Sequence, residues 1–282
     1  VEKLKTFLSM IKVEHTLFAL PFAFTGMLLA ANGLPSLRTV FWIVTAVLGA
    51  RSGAMGFNRY ADAEIDARNP RTAGRDIPSG RLSKREAAVY TVISFGVYLF
   101  AAAMLNPLCF YLSPLPLAIF ILYSYTKRFT FLCHIVLGVA LGIAPIGAWA
   151  AVQGSINLPI SLLGLAVLFW AAGFDIIYAC QDIDFDRKEN LHSIPRYIGV
   201  KGSLYTARAL HIGAFTLFAY TGAAFGLGFI YFAGVTLTGL FMVYEHSLIK
   251  PHDLSKVDMA FFNLNAYISV TIFLFTAADI FI

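Results

Sequence analysis

Ten of the 16 acidic residues fall in two short stretches, Asp62, Glu64, Asp66, Asp76 and Glu86 in the first, and Asp175, Asp182, Asp184, Asp186 and Glu189 in the second. The first contains Asn58-Arg-Tyr-Ala-Asp62-Ala-Glu-Ile-Asp66 and the second Tyr178-Ala-Cys-Gln-Asp182-Ile-Asp-Phe-Asp186. A spacing of four turns a helical side chain only about 40° further round. Asn58, Asp62 and Asp66 are therefore expected on one helix face, and so are Tyr178, Asp182 and Asp186. Carboxylates at a helix C-terminus oppose its macrodipole, so two such clusters require cations. A hard divalent ion, held by a few carboxylates and otherwise by water and phosphate oxygens, meets that need. The expected cofactor is Mg²⁺, bound by Asn58, Asp62, Asp66, Asp182 and Asp186 and bridging the protein to a diphosphate.

The flanks carry the complementary charge. A basic, Pro-punctuated loop follows each acidic motif, with Arg71, Arg75 and Pro78 after the first and Arg187, Lys188, Pro195 and Arg196 after the second. The chain thus reads as a distant internal duplication. Between the two motifs, Tyr123-Ser-Tyr-Thr-Lys127-Arg128 adds two cations to the same clamp. Oxygens held by Mg²⁺ on one side and by Arg or Lys on the other suit a departing diphosphate. Arg51 and Asp175 lie seven residues before Asn58 and Asp182, two turns further along each helix. Ionisable groups at such depth in a membrane are functional candidates. Arg51 suits an acceptor carboxylate or a phosphate, and Asp175 suits an acceptor hydroxyl that it orients or deprotonates. Glu64 and Asp184 point off the shared faces, and the six histidines show no metal-ligand spacing.

These groups must be positioned by membrane helices. Only 13% of the 282 residues are charged, 59% are hydrophobic and the mean hydropathy is +0.73. A soluble domain keeps about a quarter of its residues charged. Nine apolar segments reach or approach the roughly 20 residues that cross a bilayer. They are 16–33, 38–60, 86–105, 107–125, 130–151, 158–181, 203–225, 227–248 and 258–280. A β-barrel would instead show short alternating strands of about ten residues. Residues 1–13 form an expected interfacial amphipathic helix, with Leu4, Phe7, Leu8 and Ile11 at helical spacing among lysines. The glycine-rich run 138–147 suits close helix packing.

Nineteen of the 21 Lys and Arg lie in the amino-terminal arm and in or beside the even-numbered connections. By the positive-inside rule those segments are cytoplasmic, and both acidic motifs emerge on that side. The expected location is a prokaryotic inner membrane with the site opening to the cytoplasm. The net charge of +5 reports topology and not nucleic-acid binding. The three cysteines sit in apolar stretches and imply no disulfide framework.

Taken in order, Asn58-x-x-x-Asp62-x-x-x-Asp66, Arg71-Thr72 and Arg75 with Pro78-Ser79-Gly80, Tyr123 with Lys127-Arg128, and Asp175-x-x-Tyr178-x-x-x-Asp182-x-x-x-Asp186 resemble the UbiA superfamily of intramembrane prenyltransferases. The resemblance covers nearly the whole chain. It implies an all-α integral membrane fold, nine transmembrane helices around a central cavity, forming one domain over 1–282. It also implies Mg²⁺-dependent ionisation of a polyprenyl diphosphate and prenyl transfer to a hydroxy-aromatic acid. Asp62, Asp66, Asp175, Asp182 and Asp186 would then be catalytic, and Arg51, Asn58, Arg71, Tyr123, Lys127, Arg128 and Tyr178 would bind substrate. The expected acceptor is 4-hydroxybenzoate, with a dihydroxynaphthoate as the alternative, and no protein partner is expected. The competing class is a secondary transporter, whose sites lie near the bilayer midplane in broken helices.

Overall fold

The computed structural model describes residues 2–12, 16 and 18–282. Val1 and Val13, at the ends of the expected amphipathic segment, and Leu17, in the first apolar segment, lie outside the described residues. Fourteen α-helices are found among the described residues: α1 (Glu2–Met10), α2 (Leu20–Ala31), α3 (Leu37–Ala61), α4 (Ala63–Arg68), α5 (Lys84–Leu105), α6 (Pro107–Leu112), α7 (Pro114–Thr126), α8 (Cys133–Gln153), α9 (Leu158–Ala179), α10 (Ile183–Lys188), α11 (Ile194–Phe225), α12 (Phe229–Leu248), α13 (Val257–Met259) and α14 (Asn265–Phe281). A 3₁₀ turn at Cys180–Asp182 precedes α10, and a π-helical turn at Ala260–Leu264 joins α13 to α14.

Local chemistry sets the helix ends. Ser36 caps α3, Ser83 and Glu86 form a capping box on α5, Asn157 caps α9 and Ser193 caps α11. Each side-chain oxygen satisfies a backbone N–H that the first turn leaves without an acceptor. Both acidic motifs break at their middle aspartate. Asp62 ends α3 with φ −95° and ψ 4°, and Asp182 precedes α10 with φ −103° and ψ 7°. The expected continuous helical faces 58–66 and 178–186 are therefore each bent once, at equivalent places.

Each of the nine apolar segments coincides with a helix or a helix pair, but six are long and apolar enough to cross a bilayer by length and composition: Leu37–Ala61, Lys84–Leu105, Pro107–Thr126, Cys133–Gln153, Leu158–Lys188 and Val257–Phe281. Leu20–Ala31 is apolar but has only 12 residues. Helices α11 and α12 carry polar side chains such as His211, Glu245 and His246, which dilute their hydropathy. The 107–125 segment is two helices that meet at Ser113, because Pro114 starts α7 afresh.

Helix α9 is central, with 67% of its apolar window buried, against 17% for α5 and 22% each for α3 and the α6–α7 segment. It packs against α8 and α11, and α3 packs against α5. Glycines permit these approaches. A Cβ on Gly142 would strike the Gly164 carbonyl of α9, and one on Gly138 would strike the Leu168 carbonyl, as the glycine-rich run suggests. The α1 segment docks on protein as well as presenting an outer face. Phe7, Met10 and Ile11 are buried with Leu82 and Ala87, whereas Leu4 and Leu8 are exposed.

Gly142→Val should weaken the α8–α9 contact and cost about 1–3 kcal/mol by overpacking. Gly147→Val, where a Cβ meets nothing within 4 Å, should leave stability unchanged. Thermal unfolding of both variants in detergent checks this contrast.

Candidate functional site

One cavity of about 1250 Å³ runs into the bundle, and all twelve residues singled out by the sequence line it. Its mouth is formed by the ends of α3, α7 and α9, by α4 and α10, and by the loop 69–83. Its interior is walled by apolar side chains, among them Ile43, Val47, Leu105, Leu141 and Ala144.

The mouth concentrates negative charge with little water. Asp66, Asp182 and Asp186 are 6%, 7% and 1% exposed. Such groups need partners, and each carboxylate has a basic one. Arg75 Nη1 donates to both oxygens of Asp66 at 2.6 and 2.7 Å. Arg71 reaches across to the second motif, donating from Nε and Nη2 to the two oxygens of Asp182 at 3.0 and 2.6 Å. Asn69 Nδ2 also donates to Asp182, at 3.3 Å. Asp62 accepts from Arg128 at 3.2 Å and from Asn58 at 3.0 Å. Asp186 accepts from Ser193 at 2.6 Å, with Lys127 Nζ at 3.9 Å.

The rest of the clamp is built around these pairs. Arg71 Nη1 donates to the Tyr178 hydroxyl at 3.0 Å, and the guanidinium lies 5.2 Å from that ring's centre. Tyr178 in turn packs on Phe261 with centroids 4.1 Å apart. Arg128 sits over Tyr125 and donates to the Ala61 carbonyl, which closes the end of α3. Burial raises the Asp62 carboxyl above the ordinary carboxylate range, against the opposing bond from Arg128. Burial also works against the Arg71 charge, but the bonds and charge of Asp182 more than offset it and raise its pKa.

Two predicted residues lie deeper. Arg51 lines the cavity and donates from Nη1 to the Ile11 carbonyl at 3.0 Å, which ties the amino-terminal segment to α3. Asp175 lines it on α9, and its Oδ2 lies 2.6 Å from Nδ1 of the fully buried His134. Glu64 pairs with Lys84, and Asp184 lies outside the cavity lining beside Arg187.

The donor set at the mouth fits a hard cation. Four carboxylates and the Asn58 amide offer oxygen ligands, with no imidazole or thiol among them. The structure brings these five groups to one cavity but not to one point. Among the described residues no three carboxylate, imidazole or thiol groups converge closely enough to hold a metal ion. The guanidiniums of Arg71 and Arg75 occupy carboxylate oxygens that a metal would need.

Arg75 is among the cations expected to flank the first motif but not among the expected substrate-binding residues, and Asn69 and His134 are in neither set. Asn69 stands two residues before Arg71, just ahead of the basic loop. His134 had no signal, because it meets Asp175 only through the α8–α9 contact, 41 residues away.

The model of the UbiA prenyltransferase family matches residues 19–267. The 4-hydroxybenzoate octaprenyltransferases of Citrobacter koseri and Enterobacter sp. are each 33% identical over 245 residues, 87% of this chain and 84% of theirs. The apo structure of a UbiA homologue from Aeropyrum pernix K1 superposes with a TM-score of 0.82 at 35% identity, covering 95% of this chain and 97% of that one. A UbiA homologue from Archaeoglobus fulgidus bound to DMAPP and Mg²⁺ shares the fold at 21% identity, with a TM-score of 0.71 over 95% of this chain and 99% of that one.

If Asp182 helps to hold a cation, Arg71 competes with that cation, and Arg71→Ala should tighten binding of Mn²⁺ alone, by about tenfold on the scale of one lost charge-assisted bond. Titration followed by electron paramagnetic resonance, with no diphosphate present, measures it. Equal or weaker Mn²⁺ binding in the variant would show that the Arg71–Asp182 pair does not guard the site.

Proposed function

The chain belongs to the UbiA prenyltransferase family, an integral membrane family, and from that premise we propose that it transfers a polyprenyl group from an allylic diphosphate to a hydroxy-aromatic acid, with 4-hydroxybenzoate as the first acceptor, in quinone synthesis. One observation carries this reading. Cations and carboxylates fit for a diphosphate ring the mouth of a single cavity whose interior is apolar and whose deeper wall holds one Arg and one Asp. A transporter would place its charge near the midplane, whereas the acidic groups here crowd one end of the helices.

Asn58, Asp62, Asp66, Asp182 and Asp186 would hold Mg²⁺, as the hard oxygen set allows. When bound, the ion neutralises diphosphate charge and so makes a better leaving group. Arg71 and Arg75 come from the loop 69–83, and Lys127 and Arg128 from the end of α7. Together they bracket the same space and supply N–H donors for phosphate oxygens. A guanidinium suits that task, since its planar fork bonds two oxygens at once. As the allylic C–O bond breaks, the diphosphate stays with these cations and the prenyl cation faces the cavity. The rings of Tyr123, Tyr178 and Phe261 line that wall, and aromatic faces attract a desolvated cation.

The acceptor site lies deeper, about 10 Å below Asn58 and Asp182 on a rise of 1.5 Å per residue. There Arg51 binds the acid's carboxylate and Asp175 accepts the phenol hydroxyl's hydrogen bond. The ring carbon ortho to that hydroxyl then attacks the first prenyl carbon. The polyprenyl tail occupies the apolar interior. The basic connections favour an inner-membrane location with the mouth at the cytoplasmic face.

Purified protein given Mg²⁺, a polyprenyl diphosphate and a panel of hydroxy-aromatic acids that includes 4-hydroxybenzoate and dihydroxynaphthoates should yield a prenylated acid by mass spectrometry. Excess chelator should abolish the product, and Asp62→Ala or Asp182→Ala should each remove most of it. No product from any acid, with flux of a solute into proteoliposomes instead, would overturn the reading. Arg51→Ala should raise the acceptor KM about tenfold or more, on the scale of one charge-assisted pair, and change the diphosphate KM less. An effect confined to the diphosphate would move Arg51 into the clamp.

A further inference from the structure

The Asp175 carboxylate makes its hydrogen bond outside the diphosphate clamp. Asp175 faces the cavity with a side chain 16% exposed, and behind it stands His134, with no exposed surface and Nδ1 at 2.6 Å from Oδ2. We infer that His134 is a positioning residue for proton transfer, holding the Asp175 carboxylate so that Oδ1 meets the acceptor's hydroxyl. This inference rests on the acceptor site proposed above.

Only one of the two ring nitrogens has a hydrogen-bond partner among the described residues. His134 Nε2 is buried and has no hydrogen-bond partner among the described residues. With the hydrogen on Nδ1 the ring donates to Oδ2, and a carboxylate so held keeps one rotamer. Among the described residues, no hydrogen bond is made to Oδ1.

The proton balance follows. The ortho ring carbon bonds to the first prenyl carbon as the diphosphate leaves, and the phenol proton passes to Oδ1. The ring carbon's own hydrogen then moves to the oxygen and restores aromaticity. The single net proton leaves Asp175 for water at the cavity mouth. Several groups bear on this pair electrostatically: Tyr123 and Lys127 at the end of α7, Cys133 beside His134, and Asp186 on α10. From α11, His211 abuts Gly173 two residues away. None of them donates a hydrogen bond to Asp175, so His134 is the side chain that sets its orientation.

The test is the pH profile of kcat for the purified enzyme in detergent, with Mg²⁺, a short allylic diphosphate and 4-hydroxybenzoate or whichever acid proves active. His134→Leu should lower kcat about tenfold or more, within the range of general-base effects. It should leave the diphosphate KM unchanged and move the acidic limb to higher pH, because losing the donor destabilises the carboxylate. His134→Asn keeps an N–H at the Nδ1 position but cannot titrate, and it should restore most of kcat and the original limb. His134→Gln puts its amide where Nε2 lies and should behave like His134→Leu, which preserves the test should the leucine variant fail to fold. An unmoved acidic limb in His134→Leu and His134→Gln, or an asparagine variant as impaired as those two, would overturn the inference. Asp175→Asn with undiminished kcat would instead remove the acceptor-base reading on which it rests.

Discussion

Four carboxylates gathered at one end of a helical bundle, three of them almost without solvent, repel one another, and the mouth of the cavity is organised by how that repulsion is offset. Each acid is matched to a cation: Asp66 to Arg75, Asp182 to Arg71, Asp62 to Arg128 and Asp186 to Lys127. Two of the cations come from the loop 69–83 and two from the end of α7. The Arg71–Asp182 pair joins the first acidic segment's loop to the second acidic segment, 111 residues away. Buried pairs of this kind stabilise little in net terms, yet removing one member leaves an unpaired charge at a cost of about 3–5 kcal/mol. Their value lies in register, because they fix where α4, α7 and α10 end relative to one another.

That register would mean little without close helix contacts beneath it. Gly53 and Gly173 each lie nine residues before the middle aspartate, and each faces a ring of the next long helix. A Cβ on Gly53 would meet the Phe95 ring of α5, and one on Gly173 would meet the His211 ring of α11. The two halves thus share a small residue that lets a helix approach its neighbour, followed by a bend that turns the acids toward the cavity. Below the bend the wall becomes apolar, so an anionic head and a hydrocarbon tail find separate surroundings in one space.

The parts legible in the sequence were those with local spacing. Asp62, Asp66, Asp182 and Asp186 share the cavity because i, i+4 repeats put them near one face and both motifs end an even-numbered apolar segment, at the same end of the bundle. The apolar segments were legible through length alone, and the glycines of α8 through their density. What escaped depended on tertiary contact. The bend at Asp62 and Asp182 is a backbone choice that no residue type announces. The break at Ser113 was hidden in an otherwise apolar run, although Pro114 marked it. The buried face of α1 was read as lipid-facing because amphipathicity does not say what covers it. The His134–Asp175 pair joins residues with no common motif, and only the approach of α8 to α9 creates it.

The two acidic segments differ in a way that divides the labour. The first motif opens with Asn58 and runs into a 15-residue connection, 69–83, whose Arg71 and Arg75 extend onto carboxylates. The second opens with Tyr178 and runs into the five-residue connection 189–193, where Ser193 both caps α11 and bonds Asp186. A short connection tied to a helix cap holds its acid in one place, whereas a long one can offer its cations to more than one anion. The second half therefore supplies the fixed acids and the first half the exchangeable charge. On the proposed function, a diphosphate at the mouth would gain the arginines by competing with carboxylates for them, so the charge that balances the acids would be the charge that receives the substrate.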